Sequence, residues 1–528
     1  MDEVDVVVVG GGSGGAAAAG RLSEDGRHVV ALLEVGGRNT GLRTRVPGFM
    51  SFQNDSTNWR FETVPQAGLN GRRGYQPRGR GLGGSSAINA MLYVRGNAWD
   101  YDNWAAKGCD GWSYQDVLPV FKRAERNQRG TSEFHGGDGP LFVSDQHWSH
   151  PGSAEFVEAG ASLQMPRNDD FNGPRQEGVG LYQVTQKNGE RWTSSSAYVE
   201  PARERPNFHV ITEALGERVL FENGKAWGVA YRRGNENRVI RARKAVVLGG
   251  GVFGTPQLLM LSGIGPAAHL AEHGITPILD RPAVGENLQD HIDYVAAFET
   301  AGRFFLGQSL AGTAGMVGAV VRWLRSRSGM MTTPFAEAGG FLTLDPAAPA
   351  PEVQFHFVPV VLEDHGRTKV KAHGFSCHVC VLRPESAGTV RLASADPRVA
   401  PLIDPAFLTD PRDMDVLKAG VRAMYRILRS PPLERHAAKD RYPIDIDDDD
   451  ALERLIRARA DTVYHPVGTA RMGSDSSAVC DPKLRVRGVE GLYIADASIM
   501  PKLVSGNTNA PSIMIGERAA DFVKADLA

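Results

Sequence analysis

The chain is poor in cysteine, in net charge and in long apolar runs. Four cysteines in 528 residues, Cys109, Cys377, Cys380 and Cys480, are too few and too scattered to staple a fold, and a reducing compartment suits them. Lysine and arginine number 59 against 61 aspartate and glutamate. No basic block is long enough to follow a phosphate backbone, so nucleic acid is not expected as a partner. The apolar stretch from Leu310 to Val321 falls well short of the ~20 residues that cross a bilayer, and it ends at Arg322, Arg325 and Arg327. A transmembrane segment is therefore not expected. A buried or half-buried helix is expected there, with peripheral docking on a membrane surface, or a mobile lid spanning 302–335, as alternatives. No charged-then-apolar secretory segment precedes Gly10, and a cytoplasmic location is expected.

What is present is an ordinary globular composition, 42% hydrophobic and 23% charged, in a chain too long for one core. Two large units or three smaller ones are expected. Residues 4–9, Val-Asp-Val-Val-Val-Val, read as a strand buried on both faces. Gly10, Gly12 and Gly15 follow with GxGxxG spacing ahead of an alanine-rich helix. Gly10 suits the tight turn, Gly12 close approach to a pyrophosphate, and Gly15 the packing of helix on strand. A second strand ends at Glu34-Val35, where the carboxylate can accept from ribose hydroxyls and disfavours a 2′-phosphate. Strand, turn, helix and acid together predict a dinucleotide site. Spacing alone leaves FAD and NAD both open.

Residues 79–102, from Gly79-Arg80-Gly81-Leu82-Gly83-Gly84-Ser85-Ser86 through Asn89 to Tyr101-Asp102, resemble the first signature of the glucose-methanol-choline (GMC) oxidoreductases. Gly251–Gly265 resembles the second, with Val252 in place of the small residue usual there. Tyr464-His465-Pro466 through Gly473, Leu492–Pro501 and Asn507–Pro511 look like the family's C-terminal flavin segment. The resemblance runs from Val4 to about Val523 and is closest to bacterial alcohol dehydrogenases and oxidases.

That resemblance implies an α/β fold in which a Rossmann-like FAD-binding domain, built from 1–150, 200–295 and 465–528, meets a substrate-binding domain of 151–199 and 296–464. The second domain is expected to hold an antiparallel sheet flanked by helices. The cofactor implied is FAD. Noncovalent attachment is expected, because some covalently flavinylated relatives carry histidine where this chain has Ile88. The implied flavin contacts are Gly10, Gly12, Ser13, Gly14, Gly15, Glu34, Val35, Gly84, Ser85, Asn89, Ala90, Met91, Leu92, Val219, Tyr464, Asp496, Ala497 and Asn509.

Oxidising a primary alcohol through a flavin needs a base for the hydroxyl proton and a donor to hold the alkoxide. The resemblance assigns the base to His465 and the donor to Asn509, whose amide can give a hydrogen bond but cannot take the proton. Tyr464 is expected as an aromatic wall of the substrate pocket, and either His356 or Phe357 is expected to touch substrate, the two lying on opposite faces of a regular strand. The expected reaction is oxidation of a primary alcohol to the aldehyde, aryl or furanic alcohols being favoured over aliphatic ones and choline placed third. The electron acceptor stays open between oxygen and a quinone or respiratory acceptor. A hydroxynitrile lyase, which keeps FAD and the histidine without net redox chemistry, is the rival from another class. Cys377 and Cys380, three apart with no second pair at finger spacing, do not suggest zinc. The acidic run around Asp445–Asp450 is expected to cap a helix beginning near Ala451.

Overall fold

The chain folds around two seven-stranded sheets. The computed structural model describes residues 2–307 and 309–528, with the backbone alone at 310, 311, 313 and 314. Strands β1 (Glu3–Val9), β2 (Val30–Glu34), β3 (Phe208–Thr212), β4 (Ala214–Glu222), β5 (Lys225–Arg233), β6 (Glu236–Leu248) and β7 (Leu492–Ile494) form the first sheet, in spatial order β3-β2-β1-β6-β5-β4. β7 pairs parallel with the last residues of β6. Six consecutive residues of β1 are buried, because a central parallel strand is covered on both faces and needs no polar alternation. Helix α1 (Ser13–Leu22) follows the glycine turn, and α2 (Gly251–Leu261) follows β6.

The second sheet is antiparallel. Its order is Lys439–Asp440, Ile292–Thr300, His373–Val381, Val353–Val358, Ala338–Leu342 and Gly178–Leu181, with Asp461–Thr462 also on Ile292–Thr300. The whole of Ile292–Thr300 belongs here, so the boundary expected at 295/296 falls inside a strand and the later segment of the second unit starts at Ile292. The segment 302–335 contains α3 (Leu310–Ser326), whose first turn is capped by Ser309 at the Gly312 N–H. The helix Pro151–Ser162 and α4 (Pro411–Leu428) cover one face of the sheet with Phe156, Leu417, Val421 and Met424, against Phe355, Phe357 and Val379. Asp448 caps the helix Asp449–Arg459 by accepting from the Ala451 N–H at 2.9 Å.

The terminal helix α5 (Asn509–Leu527) returns to lie on α1, so close that a Cβ on Gly516 would overlap the Gly14 carbonyl oxygen. Gly15 is under the same constraint from the other side, where a Cβ would overlap the carbonyl oxygen of Gly10. Replacing Gly15 with alanine is expected to push α1 off the β1 turn and cost about 1–3 kcal/mol, the range typical of overpacking. A urea titration of flavin-free protein reads this, and an unchanged midpoint would contradict it.

Candidate active site

A cavity of about 2340 Å³ lies between the sheets. One wall is made where strands of the first sheet end: Gly10, Gly12, Ser13 and Gly14 after β1, Val35 after β2, Gly249–Gly251 after β6, Asp496 and Ala497 after β7. The carboxyl edge of such a sheet is where nucleotides bind. The first turns of α1 and α5 meet there, the Ser13 hydroxyl donating to Asn509 Oδ1 at 2.7 Å, and two helix N-termini together favour an anion. Gly10 has φ +102°, which only glycine adopts at little cost. A Cβ on Gly12 would meet no protein atom nearer than 3.8 Å and would stand in the cavity instead.

Glu34, also in this wall, accepts from the N–H groups of Gly11 at 2.8 Å, Gly36 at 2.9 Å and Gly81 at 2.9 Å. Three backbone donors fix the carboxylate at the end of β2, where an adenosine ribose would lie. Gly84, Ser85 and Asn89–Leu92 form another part of the wall. They rest on buried Arg191, which donates to Asn89 O at 2.6 Å and Asn89 Oδ1 at 2.8 Å and whose pKa burial lowers to about 9. Ile88 lines the cavity with a side chain that cannot bond covalently to a flavin. Asp496 accepts from the Gly251 N–H at 2.9 Å, the Thr255 hydroxyl at 2.6 Å and the Ser498 N–H at 2.8 Å, which leaves it holding the start of α2. These features fit a bound FAD.

Four expectations need correction. Val219 points into the interior, its N–H donating to Ser262 Oγ at 2.9 Å. The wall along β4 is formed by Ala214, Leu215 and Gly216, ahead of a register shift between Gly216 and Arg218. Phe357 lies in the core beneath the second sheet, stacked 5.0 Å from Phe156, because the two-residue period of its strand sends Val353, Phe355 and Phe357 to the helix-covered face. Gln354 and His356 take the cavity side. Asn509 does not reach His465; as the first residue of α5 it turns to Ser13, while Asn507, before the helix, puts its Nδ2 at 3.1 Å from His465 Nε2. Gly15, also expected among the flavin contacts, does not line the cavity, and it packs α1 on the β1 turn as its place in the motif predicts.

His465 stands at the junction of the two sheets, and its hydrogen-bond partners fix its proton. His291 Nε2 lies 3.0 Å from Leu382 O, which can only accept, so this nitrogen carries hydrogen. Burial lowers the His291 pKa to about 3, and its Nδ1 is therefore bare. The two Nδ1 atoms of His291 and His465 are 2.9 Å apart, so His465 Nδ1 is the donor. Burial first, then His291, His356 and Arg78, hold the His465 pKa well below its ordinary value. Its Nε2 is consequently unprotonated, and among the described residues only the Asn507 amide donates to it. Asn507 Oδ1 accepts from Gln354 Nε2 at 3.0 Å, which turns the amide nitrogen toward His465.

Of the other histidines that line the cavity, His356 and His378 sit on adjacent strands of the second sheet. Among the described residues His356 has no partner at either ring nitrogen, and burial, then His378 and His291, lower its pKa to about 3. His378 is held by Asp293 at 2.6 Å. The Tyr464 hydroxyl is taken by His365 Nδ1 at 2.6 Å, so what Tyr464 offers the cavity is its ring. His291, Asn507 and Gln354 escaped the sequence reading. No motif spacing marks His291, and two asparagines two residues apart cannot be told apart until the start of α5 is known.

Residues 4–293 and 384–516 match the two models of the family described as GMC oxidoreductase. The chain is 44% identical over 519 residues to an alcohol dehydrogenase (acceptor) of Pseudomonas putida, covering 97% of this chain and 94% of that one. It is 40% identical over 536 residues to an oxygen-dependent choline dehydrogenase of Rhizobium rhizogenes, covering 99% and 95%. The crystal structure of pyridoxine 4-oxidase from Mesorbium loti superposes with a TM-score of 0.87 at 29% identity, covering 98% of each chain.

Gly12→Ala is expected to leave the unfolding midpoint of flavin-free protein unchanged, since its Cβ has room. The same variant is expected to purify with at least ~10-fold weaker FAD affinity, the loss of about 1.4 kcal/mol. Wild-type flavin content by absorbance would contradict the cradle.

Proposed function

The chain belongs to the GMC oxidoreductase family of FAD flavoproteins, and on that premise we propose that it oxidises a neutral primary alcohol to the aldehyde with His465 as the base. The bare Nε2 of His465, aimed into the cavity and made an acceptor by His291, is the observation that carries this reading. When bound, FAD supplies the hydride acceptor. The protein's part is to take the hydroxyl proton on His465 Nε2 and to hold the oxygen with the Asn507 amide, the task expected earlier of Asn509.

Aryl or furanic alcohols suit the wall. The Tyr464 ring offers an apolar surface beside the base, and the unpartnered His356, uncharged near neutral pH, can hydrogen-bond a ring oxygen or a second oxygen substituent. The nearby carboxylates are engaged, Asp293 by His378, Asp461 by His365 and Glu363 by Arg441 and Arg459. Choline oxidation is the second reading, favoured by one atom, the buried Asp293 Oδ1 that lacks a partner and could offset a permanent cation. Oxygen and a quinone-type acceptor both remain candidates for reoxidation.

Anaerobic mixing of the holoenzyme with benzyl alcohol, hydroxymethylfurfural, a medium-chain alkanol and choline tests the substrate. Bleaching is expected fastest with the first two, and fastest bleaching by choline would overturn the preference. His465→Ala is expected to slow flavin reduction by ~10²–10⁴-fold, the usual worth of a general base, with FAD still bound. A depressed base is deprotonated over more of the pH range. The reduction rate should therefore hold constant down through pH ~6.5, the ordinary imidazole value, and fall only below it. An acid limb above that value would show that another group takes the proton.

A further inference from the structure

Helix α3 has an inner face that is anchored and an outer apolar face that is not. Trp323 is fully buried beside Val46 and Met331, and its indole N–H donates to Gly189 O at 2.8 Å. Outward, Val317, Val321 and Leu324 recur at i, i+4 and i+7 and so stack along one side. They are 62%, 42% and 48% exposed. Phe52, Phe304 and Met316 are likewise exposed and also line the cavity, which puts the apolar ridge at the cavity mouth.

The two chain segments that carry this ridge hold charge of one sign. No aspartate or glutamate occurs between Glu34 and Asp55 or between Glu299 and Glu337, and these two segments hold seven arginines. Arg38, Arg45 and Arg327 are paired with Glu200 or Glu190. Among the described residues Arg43, Arg303, Arg322 and Arg325 form no ion pair with an acidic side chain. Exposed apolar side chains flanked by unpaired arginines match the interface of an anionic bilayer, where the ridge enters the acyl boundary and guanidinium groups meet phosphates. A second copy of this face is a poor fit, because a two-fold contact would set arginines against arginines.

We propose that α3 docks the protein reversibly on an anionic membrane surface, with Val317, Val321 and Leu324 inserted and the arginines on the headgroups. No helix among the described residues is long and apolar enough to cross the bilayer, so the contact is peripheral. Docking in this way turns the cavity mouth toward the lipid, from which a lipid-soluble alcohol or quinone-type acceptor could enter. The docking itself does not rest on the proposed reaction.

Flotation of the FAD-loaded full chain with vesicles tests the proposal. Protein is expected to float with vesicles containing phosphatidylglycerol, and at least ~10-fold less with phosphatidylcholine alone or at about 1 M salt, where the screening length is about 3 Å. Val317→Ser combined with Val321→Ser and Leu324→Ser, and separately Arg325→Glu, should each weaken flotation while keeping the flavin spectrum and turnover of a water-soluble alcohol. If the triple variant loses flavin, Arg325→Glu, at an exposed site, decides alone. The proposal is overturned if the wild type does not float with anionic vesicles, floats equally on phosphatidylcholine, or is matched by the Arg325→Glu variant. It is also overturned if gel filtration shows a dimer that these variants dissociate, for then a second copy covers the face.

Discussion

Three consecutive residues, Gln289, Asp290 and His291, clamp the segment 462–467, and the geometry around His465 depends on that contact. The backbones of Gln289 and Val467 exchange hydrogen bonds at 3.1 and 2.8 Å, and the Val463 N–H donates to His291 O at 3.2 Å. Asp290 accepts from the His465 N–H at 2.9 Å and from the Thr462 hydroxyl at 2.6 Å, and burial raises its pKa to about 6. Removing such an acceptor would leave a buried N–H without a partner, a cost of roughly 1–3 kcal/mol. His291 completes the clamp through the imidazole of His465. Because Ile292 begins a nine-residue strand of the second sheet, the clamp also ties that sheet to the segment carrying His465.

The two sheets contribute by different physics. On the nucleotide side recognition is built from backbone, with glycine turns that leave space, helix N-termini that favour phosphate, and one carboxylate fixed by three N–H groups. On the substrate side it is built from side chains at alternate positions of the strand Val353–Val358. Gln354 orients Asn507, and His356 waits unpartnered, while Phe355 and Phe357 secure the sheet to the helices behind it. A polar chain thus runs from Gln354 through Asn507, His465 and His291 to Leu382 O, and every link has one donor and one acceptor. Such a chain holds a neutral base in one tautomer without spending a charge inside a buried site.

The parts legible in sequence were those set by local backbone chemistry. The Val4–Val9 run, the glycine turn and Glu34 form a unit whose spacing is dictated by strand and helix geometry, and the structure places them together at the carboxyl edge of the first sheet. The alternation around His356 was legible as two opposite faces, but not which face met the helices. Asn507 and Asn509 were indistinguishable because their directions depend on where α5 begins. Val219 was misplaced by a bulge in β4 that no residue pattern announces. His291 lay beyond reach for a different reason: its importance comes from a contact with a residue far away in the chain.

The claim that carries the rest is that His465 is neutral, with hydrogen on Nδ1 and a bare Nε2 directed at the cavity. Selective ¹⁵N-histidine labelling with two-dimensional NMR at neutral pH reads it directly, the His465 signals being assigned by comparison with His465→Ala. A pyridine-like Nε2 and a pyrrole-like Nδ1 at His465, together with the reverse pattern at His291, are the predicted result. A protonated Nε2 at His465 would contradict it, since the base would then have no lone pair to offer the alcohol.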